Sequence, residues 1–321
     1  SYYLAHISDI ENKIKYTGLM ANLLIKSTLK KINVSDRDSY ENKRIDAPGY
    51  LLANLILQGV IKMTKEAKSM ILKEIDTGIY SVHKKKEDIV NDTNVHKIFK
   101  SSHINNIIKN SILTGSWGLK TNNNKQGVSQ VLNRLTYLSC LSHLRRVSTS
   151  PDPTGKLIPP RKLHSTSWGM ICPSETPEGQ SVGLVKNLSM TAEITLDIPD
   201  TIVYELFKDY SILQSDVTLY EFDKSKYFKI FINGVWIGYL TRNLDVVQEQ
   251  FLKQRRLGII HPHTSFYVNY TMKHILIYSD RGRFIRPLLR VENNQLLLDK
   301  LPSQYQWNDL VIGETSCIDY I

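Results

Sequence analysis

The sequence predicts an α+β fold: a helical first half, a loop-rich middle and a C-terminal mixed β domain with hairpins. Three observations carry this. Apolar residues repeat at helical spacing over the first third, prolines and glycines break up the middle, and the last third holds β-rich runs joined by Asn-Gly. Over residues 4–32, Ile7, Ile10, Ile14, Leu19, Leu23, Leu24 and Leu29 follow a helical stripe. Turn and cap formers at 34–39 end it, and Ala47-Pro48-Gly49 makes a second break. Residues 50–75 read as a long helix, punctuated by Asp76-Thr77-Gly78. Residues 95–113 read as one more, with Ile98, Ile104, Ile107, Ile108 and Ile112 as its buried stripe.

Thr114-Gly115-Ser116-Trp117-Gly118 is a glycine-flanked loop leading into the polar run 119–126. Ser129 is the expected cap of a helix running to about residue 146. Residues 148–177 then form a long structured loop, whose Leu163, Trp168, Met170 and Ile171 argue that it is packed. After residue 184 the pattern turns to β. Runs at 226–232 and 235–240 flank Asn233-Gly234, the strongest hairpin signal in the chain, because both turn positions take positive φ. A helix is expected over 243–256. A second hairpin is expected to join 274–278 to 283–291 through Ser279-Asp280-Arg281-Gly282.

Lysine and arginine total 41 against 31 acids, a net charge of +10. That excess is concentrated: residues 93–174 hold eleven basic side chains and one acid, Asp152, and the remainder of the chain sums to zero. A neutral protein with one cationic stretch reads as a polyanion-binding surface, because each neutralised phosphate releases counterions. A solvated basic face is the plainer alternative, and the near absence of acids over this length favours nucleic acid. Hydrophobic residues make up 41%, too many for disorder, and no apolar run approaches the ~20 residues of a membrane span. No basic stretch precedes an apolar core at the N-terminus, so no secretory signal is expected. Three dispersed cysteines do not make a disulfide framework and point to an intracellular, reducing compartment.

Metal chemistry is not expected from the residues. Cys140 and His143 would need a second tight pair to hold zinc, and the gap between His164 and Cys172 is too wide. Asp36 and Asp38 sit in a turn beside Arg37, where capping and ion pairing account for them. Glu175 and Glu178 flank a rigid proline and are the first acids after the cationic stretch, so pairing with Arg145, Arg146 or Arg161 competes with acid–base work. No phosphate-cradling glycine loop and no catalytic triad spacing occurs.

Several ordered blocks carry a resemblance. Gly127-Val128-Ser129-Gln130-Val131-Leu132-Asn133-Arg134, Leu141-Ser142-His143-Leu144-Arg145-Arg146 and Arg161-Lys162-Leu163-His164-Ser165-Thr166-Ser167-Trp168-Gly169 are followed by Cys172-Pro173-Ser174-Glu175-Thr176-Pro177-Glu178-Gly179-Gln180. With Asp36-Arg37-Asp38, Lys43-Arg44-Ile45-Asp46, Phe231-Ile232-Asn233-Gly234-Val235-Trp236 and Asp280-Arg281-Gly282-Arg283-Phe284-Ile285-Arg286-Pro287-Leu288, they resemble the second-largest, β-type subunit of multisubunit DNA-directed RNA polymerases. Gln180 after Glu-Gly is similar to the eukaryotic, archaeal and large-DNA-virus type rather than the bacterial one.

The resemblance implies that the chain is a piece of a longer subunit. Residues 1–43 would end the lobe, 44–100 would be the second part of the protrusion, 101–181 the fork, and 182–321 an external domain. The catalytic Mg2+ would be held by the largest subunit, with no zinc in this segment and no catalytic residue in this chain, so the chain alone would not polymerise nucleotides. The implied partners are the largest and other polymerase subunits, template DNA, nascent RNA and nucleoside triphosphates, with no membrane. The loop 119–126 resembles the fork loop where downstream strands separate. Lys120, Lys125, Gln130, Arg134, His143, Arg145 and Arg146 are the implied nucleic-acid contacts, and Glu178 matches a carboxylate that positions elements of the active centre. Location would be nuclear in a cell, or host cytoplasm or virion for a virus. A free-standing cationic nucleic-acid-binding module is the competing reading. It is disfavoured by apolar helices such as 50–57, which look built to bury against more protein.

Overall fold

The computed structural model describes residues 3–76, 90, 95–117, 127–149, 157–213, 227–301 and 304–321. The loop 119–126, with Lys120 and Lys125, lies outside the described residues. The chain forms two compact units, Ser1–Ile45 with Lys156–Ile321, and Asp46–Gly155.

The larger unit begins with helix α1 (Ile10–Thr28), capped by Asp9, whose carboxylate accepts from Asn12 N at 3.2 Å. In the smaller unit α2 (Pro48–Asp76) starts on a proline, as its missing N–H permits. The expected helix over 95–113 is two helices, α3 (Val95–Ile98) and α4 (Ser102–Thr114), broken at Phe99-Lys100-Ser101. Gly59 of α2 lets α4 approach closely: a Cβ there would lie 3.5 Å from Ile104 and 3.6 Å from Ile107. Gly115, at φ 69°, closes α4, and the Trp117 indole N–H donates to Leu51 O at 2.9 Å.

Helix α5 is Tyr137–Leu144, seven residues shorter at its start than the expected helix capped by Ser129. A reciprocal capping box sets the boundary, Thr136 Oγ accepting from Ser139 N and Ser139 Oγ from Thr136 N. Strand β1 (Arg146–Ser148) follows.

Back in the larger unit, β2 (Val185–Asn187) runs beside 170–172, with Cys172 N donating to Asn187 O at 2.9 Å and Ser189 N to Met170 O at 3.0 Å. The main sheet contains β4 (Ser211–Leu213), β5 (Lys229–Ile232), β6 (Val235–Leu240), β7 (Ser265–Asn269) and β8 (His274–Tyr278) in the order β4-β6-β5-β8-β7. Neighbours are antiparallel except β5 and β8, so the sheet is mixed as expected. Asn233 (φ 47°) and Gly234 (φ 82°) make the tight turn between β5 and β6 that the sequence predicts. Alternation divides the sheet's faces. Ile230, Ile232, Ile275 and Ile277 pack with Val203 and Phe207 of α6 (Thr201–Lys208) and Val247 and Phe251 of α7 (Leu244–Arg256). Phe231 points the other way and meets Tyr16 of α1 edge-on, ring centroids 6.5 Å apart.

The second hairpin differs from expectation. β8 pairs with β7 through Asn269–His274, where Lys273 takes φ 51° and Asn269 Oδ1 accepts from Met272 N. The segment after Gly282 goes elsewhere. β9 (Phe284–Ile285) pairs with β3 (Glu193–Ile194), and β10 (Pro287–Leu289) pairs with the strand Ile318–Tyr320. Two-residue strands β11 (Val291–Glu292) and β12 (Gln295–Leu296) form a small hairpin, α8 is Trp307–Val311, and Ile318–Tyr320 is β13. No helix among the described residues is long and apolar enough to cross a membrane.

Two histidines of this unit are held neutral. Burial, reinforced by the charges of His261 and Arg283, lowers His263 to about 4, and Glu193 at 3.8 Å does not reverse this. Burial, then Lys229 and Lys26, lowers His274 to about 4. The unfolded chain takes up these protons near pH 6.5 while the folded chain resists until about 4, so their contribution is complete above 6.5 and is lost as pH falls through that window. Urea midpoints are expected to drop between pH 7 and pH 5 by the equivalent of about 1 kcal/mol per histidine, after allowing for partial exposure. His274→Gln is expected to flatten that slope by about half, and an unchanged slope would refute the assignment.

Candidate nucleic-acid interface

The residues between Gly127 and Arg146 form one hydrogen-bonded structure within the smaller unit. The Gln130 side-chain amide donates to Gly127 O at 2.8 Å, and its Oε1 lies 3.0 Å from His143 Nε2. His143 Nδ1 accepts from Asn133 N at 3.0 Å, so the proton sits on Nε2 and donates to Gln130. Asn133 Oδ1 takes Leu135 N–H at 3.1 Å. The structure thus brings two of the expected contact residues, Gln130 and His143, together and uses their polar atoms to fix the loop ahead of α5. Arg134 lies on that loop and is exposed; Arg145 caps the end of α5, and Arg146 opens β1, exposed. No ion pair holds Arg134 or Arg146 among the described residues. Around these cations Val131, Leu135, Tyr137 and Leu138 are 94%, 86%, 82% and 74% exposed, an apolar surface too concentrated to be ordinary solvent-facing decoration.

In the larger unit the loop bearing Glu178 is shaped by residues on either side of it. Arg161 donates to Leu157 O, Gln180 O (2.6 Å) and Val182 O (2.8 Å), so its guanidinium ties the carbonyls of this loop together. Thr176 Oγ1 donates to Val185 O at 3.0 Å and accepts from Gly183 N at 2.9 Å. Glu178 stands at the cap of the short turn Gly179–Ser181 with its carboxylate exposed. Cys172 lies at the base of the same loop, where backbone N–H groups of Ser174 and Glu175 lower its thiol below the usual range.

The remaining motif blocks converge on this unit too. His164 Nδ1 accepts from Thr166 N at 3.2 Å, which leaves Nε2–H to donate to Asp36 Oδ2 at 2.7 Å. That hydrogen bond, then the one from Asp38 N, lowers the Asp36 carboxyl. Tyr40 N donates to Thr166 Oγ1 at 2.9 Å, and Lys186 Nζ reaches the Tyr40 hydroxyl at 3.1 Å. Arg44 meets Asp280 at 2.8 Å, and Asp280 meets buried Arg283 at 2.9 Å. The Asp-Arg-Asp block therefore holds the block that contains His164, and the Lys-Arg-Ile block holds the Asp-Arg-Gly-Arg block. Sequence spacing does not reveal these partners; only the shared residue types, acids in one block and cations or histidine in the other, hint at them. Among the described residues no three His, Cys, Asp or Glu side chains converge as a metal site.

Comparison with known proteins agrees with the motif blocks. Residues 130–194 match the family described as RNA polymerase Rpb2, domain 3, and residues 230–292 match RNA polymerase Rpb2, domain 4. The chain is 36% identical over 292 residues to DNA-directed RNA polymerase II subunit 2 of Arabidopsis thaliana, covering 90% of this chain and 23% of that protein. It is 35% identical over 300 residues to subunit RPB2 of Schizosaccharomyces pombe RNA polymerase II, covering 91% and 23%. A viral relative, DNA-directed RNA polymerase subunit 2 of Acanthamoeba polyphaga mimivirus, is 33% identical over 298 residues, covering 89% and 23%. The chain spans about a quarter of the length of the curated relatives it matches. Two family domains in order, with identity sustained across nearly the whole chain, place it in the family of second-largest subunits of DNA-directed RNA polymerase.

Proposed function

We propose that this chain is the part of a DNA-directed RNA polymerase second-largest subunit that shapes the active-centre cleft and contacts template DNA and nascent RNA during transcription. The observation that carries this reading is a coincidence of position. The acid-poor stretch 93–174 holds the net charge of the chain, and all of its second half falls in the domain 3 match at 130–194. Exposed Arg134 and Arg146 suit a surface that must accept any sequence, since lysine and arginine contact phosphates without reading bases. Gln130 and His143 act by holding the loop that presents Arg134.

In this reading residues 1–43 end the lobe, 44–100 belong to the protrusion, 101–181 to the fork and 182–321 to an external domain. Mg2+ is held by the largest subunit, nucleoside triphosphates enter from the assembled complex, and Glu178 helps position the active centre. Lys120 and Lys125, on the loop 119–126, help keep downstream strands apart. The exposed apolar surface around α5 is buried by another polymerase subunit.

Affinity purification of the full-length tagged subunit tests this. It is expected to bring down a largest subunit bearing an aspartate triad, and the complex is expected to make template-directed RNA. Arg134→Gln with Arg146→Gln in that complex is expected to lower the retention of a DNA–RNA hybrid and to reduce its salt slope by roughly 2. A subunit that purifies alone and binds nucleic acid without synthesis would instead establish the free-standing module.

A further inference from the structure

We propose that a cavity of about 180 Å3 at the end of α2 seats one backbone phosphate of a nucleic-acid strand, held by Lys97 and Lys100. The proposal deepens the polymerase reading and rests on it, giving two lysines of the cationic stretch, outside the motif blocks, a defined place to bind. The cavity lies wholly within the unit Asp46–Gly155. Glu66, Ser69, Met70 and Lys73 line it from α2, and Lys97, Ile98 and Lys100 from α3 and the break before α4. That break, unexpected from the sequence, is what places Lys100 on the same cavity as Lys97.

Charge decides the occupant. Three lysines and one glutamate line the space. Glu66 meets His103 at 2.7 Å and Lys62 at 3.8 Å, and Lys73 is engaged as well, so the charge left for an occupant is that of Lys97 and Lys100. Lys97 and Lys100 have no hydrogen-bond or ion-pair partner among the described residues. Like charges gathered round one cavity raise one another's energy, and an anion between them reverses the sign of that interaction. The volume is far above the ~15 Å3 that one water needs, so an oxyanion fits. Met70 and Ile98 offer base edges no donor or acceptor, which makes the contact indifferent to sequence, and Ser69 adds one neutral hydroxyl. A nucleic-acid strand is favoured over an acidic protein segment by continuity: Lys97 and Lys100 open the acid-poor cationic stretch that continues to Arg134 and Arg146.

The test measures binding of the purified complex carrying the full-length subunit to a labelled 20-base-pair DNA duplex from 50 to 200 mM NaCl. Lys97→Gln with Lys100→Gln is expected to weaken binding several-fold on every sequence tried and to reduce the log–log salt slope by about 2. Lys253→Gln with Lys300→Gln, placed on the other unit, removes the same charge and is expected to change the slope much less. All four lysines are surface residues, and an unchanged thermal melt confirms folding. A slope that stays at the parent value, or falls equally in the control pair, overturns the cavity site. Poly-glutamate competing more strongly than DNA at Lys97 and Lys100 overturns it in favour of a protein partner. If Arg134→Gln with Arg146→Gln lowers the slope and the cavity pair does not, the cavity alone is refuted. If the parent complex binds no DNA at all, the reading beneath it fails as well.

Discussion

Replacing Gly282 by alanine is expected to cost about 3 kcal/mol of stability, far more than positive φ alone accounts for. Gly282 sits at φ +80°, and a Cβ there would penetrate Ile45 O and stand 3.2 Å from Ile45 N. Neither atom has room to withdraw. Ile45 N donates to Gly282 O at 2.8 Å, Gly282 N donates to Thr195 O at 2.9 Å, and Thr195 N donates to Arg283 O at 3.0 Å. Thr195 is itself buried, its hydroxyl donating to Asp280 O and accepting from Arg283 N. The alanine methyl must therefore open backbone hydrogen bonds or displace a packed segment. Gly179 provides the comparison: its φ is +83°, and nothing lies within 4 Å of its Cβ direction. Gly179→Ala is expected to cost only about 1 kcal/mol, the conformational term by itself. Urea denaturation of both variants decides the matter, and equal losses would show that the close approach to Ile45 contributes nothing.

The same glycine explains where local reading stops. Ser279-Asp280-Arg281-Gly282 has the composition of a hairpin turn, and nothing nearby contradicts it. Its glycine is instead spent on a strand-like contact with Ile45, more than two hundred residues away, and the following segment pairs with β3 and β13. Asn233-Gly234 was legible because the information that fixes it is local, two residues of positive φ between β-rich runs. The helix expected over 243–256 was legible for the same reason and begins one residue later, with Asn243 as its cap, Oδ1 accepting from Asp245 N at 3.1 Å. At α5 the choice between Ser129 and Thr136 as cap turned on a serine at the third helical position, a weaker signal than the glutamate of the usual capping box. The candidate site divides likewise. Composition located the cationic stretch, and the fold then diverted some of its members: Arg161 to carbonyls, His143 to Gln130 and Asn133. Lys73 was invisible to that count because it lies outside the stretch and joins Lys97 only through the packing of α2 against α3.

The second large effect is expected at Asp319, one carboxylate serving three arginines. Arg256 grips it with two hydrogen bonds, Nη2 to Oδ2 at 2.7 Å and Nε to Oδ1 at 3.2 Å, while Arg255 Nη2 lies at 3.5 Å and Arg290 Nε at 3.9 Å. Arg255 is 7% exposed, its other nitrogen donating to Thr264 O at 3.2 Å, so water does little to offset its charge. Burial alone would push the Asp319 carboxyl up, but the Arg256 hydrogen bond and the charges of Arg256, Arg255 and Arg290 outweigh it and hold the group below the usual carboxylate range. A depressed carboxyl stabilises the fold above its ordinary pKa and ceases to do so as pH falls through the folded value, so this hub is intact at neutral pH. Asp319→Asn keeps the shape and one acceptor but leaves the three cations facing one another, which is expected to cost about 3 kcal/mol. Asp319 sits opposite Leu288 in the β10–β13 pair, so amide exchange in those two strands should accelerate before the main sheet responds. Adding Arg256→Gln to Asp319→Asn removes one of the repelling charges and is expected to restore part of the loss. If Asp319→Asn stays within ~0.5 kcal/mol of the parent in urea denaturation, the arginines are solvated well enough without their carboxylate, and packing of Leu310, Val311 and Ile318 is what holds this end of the chain together.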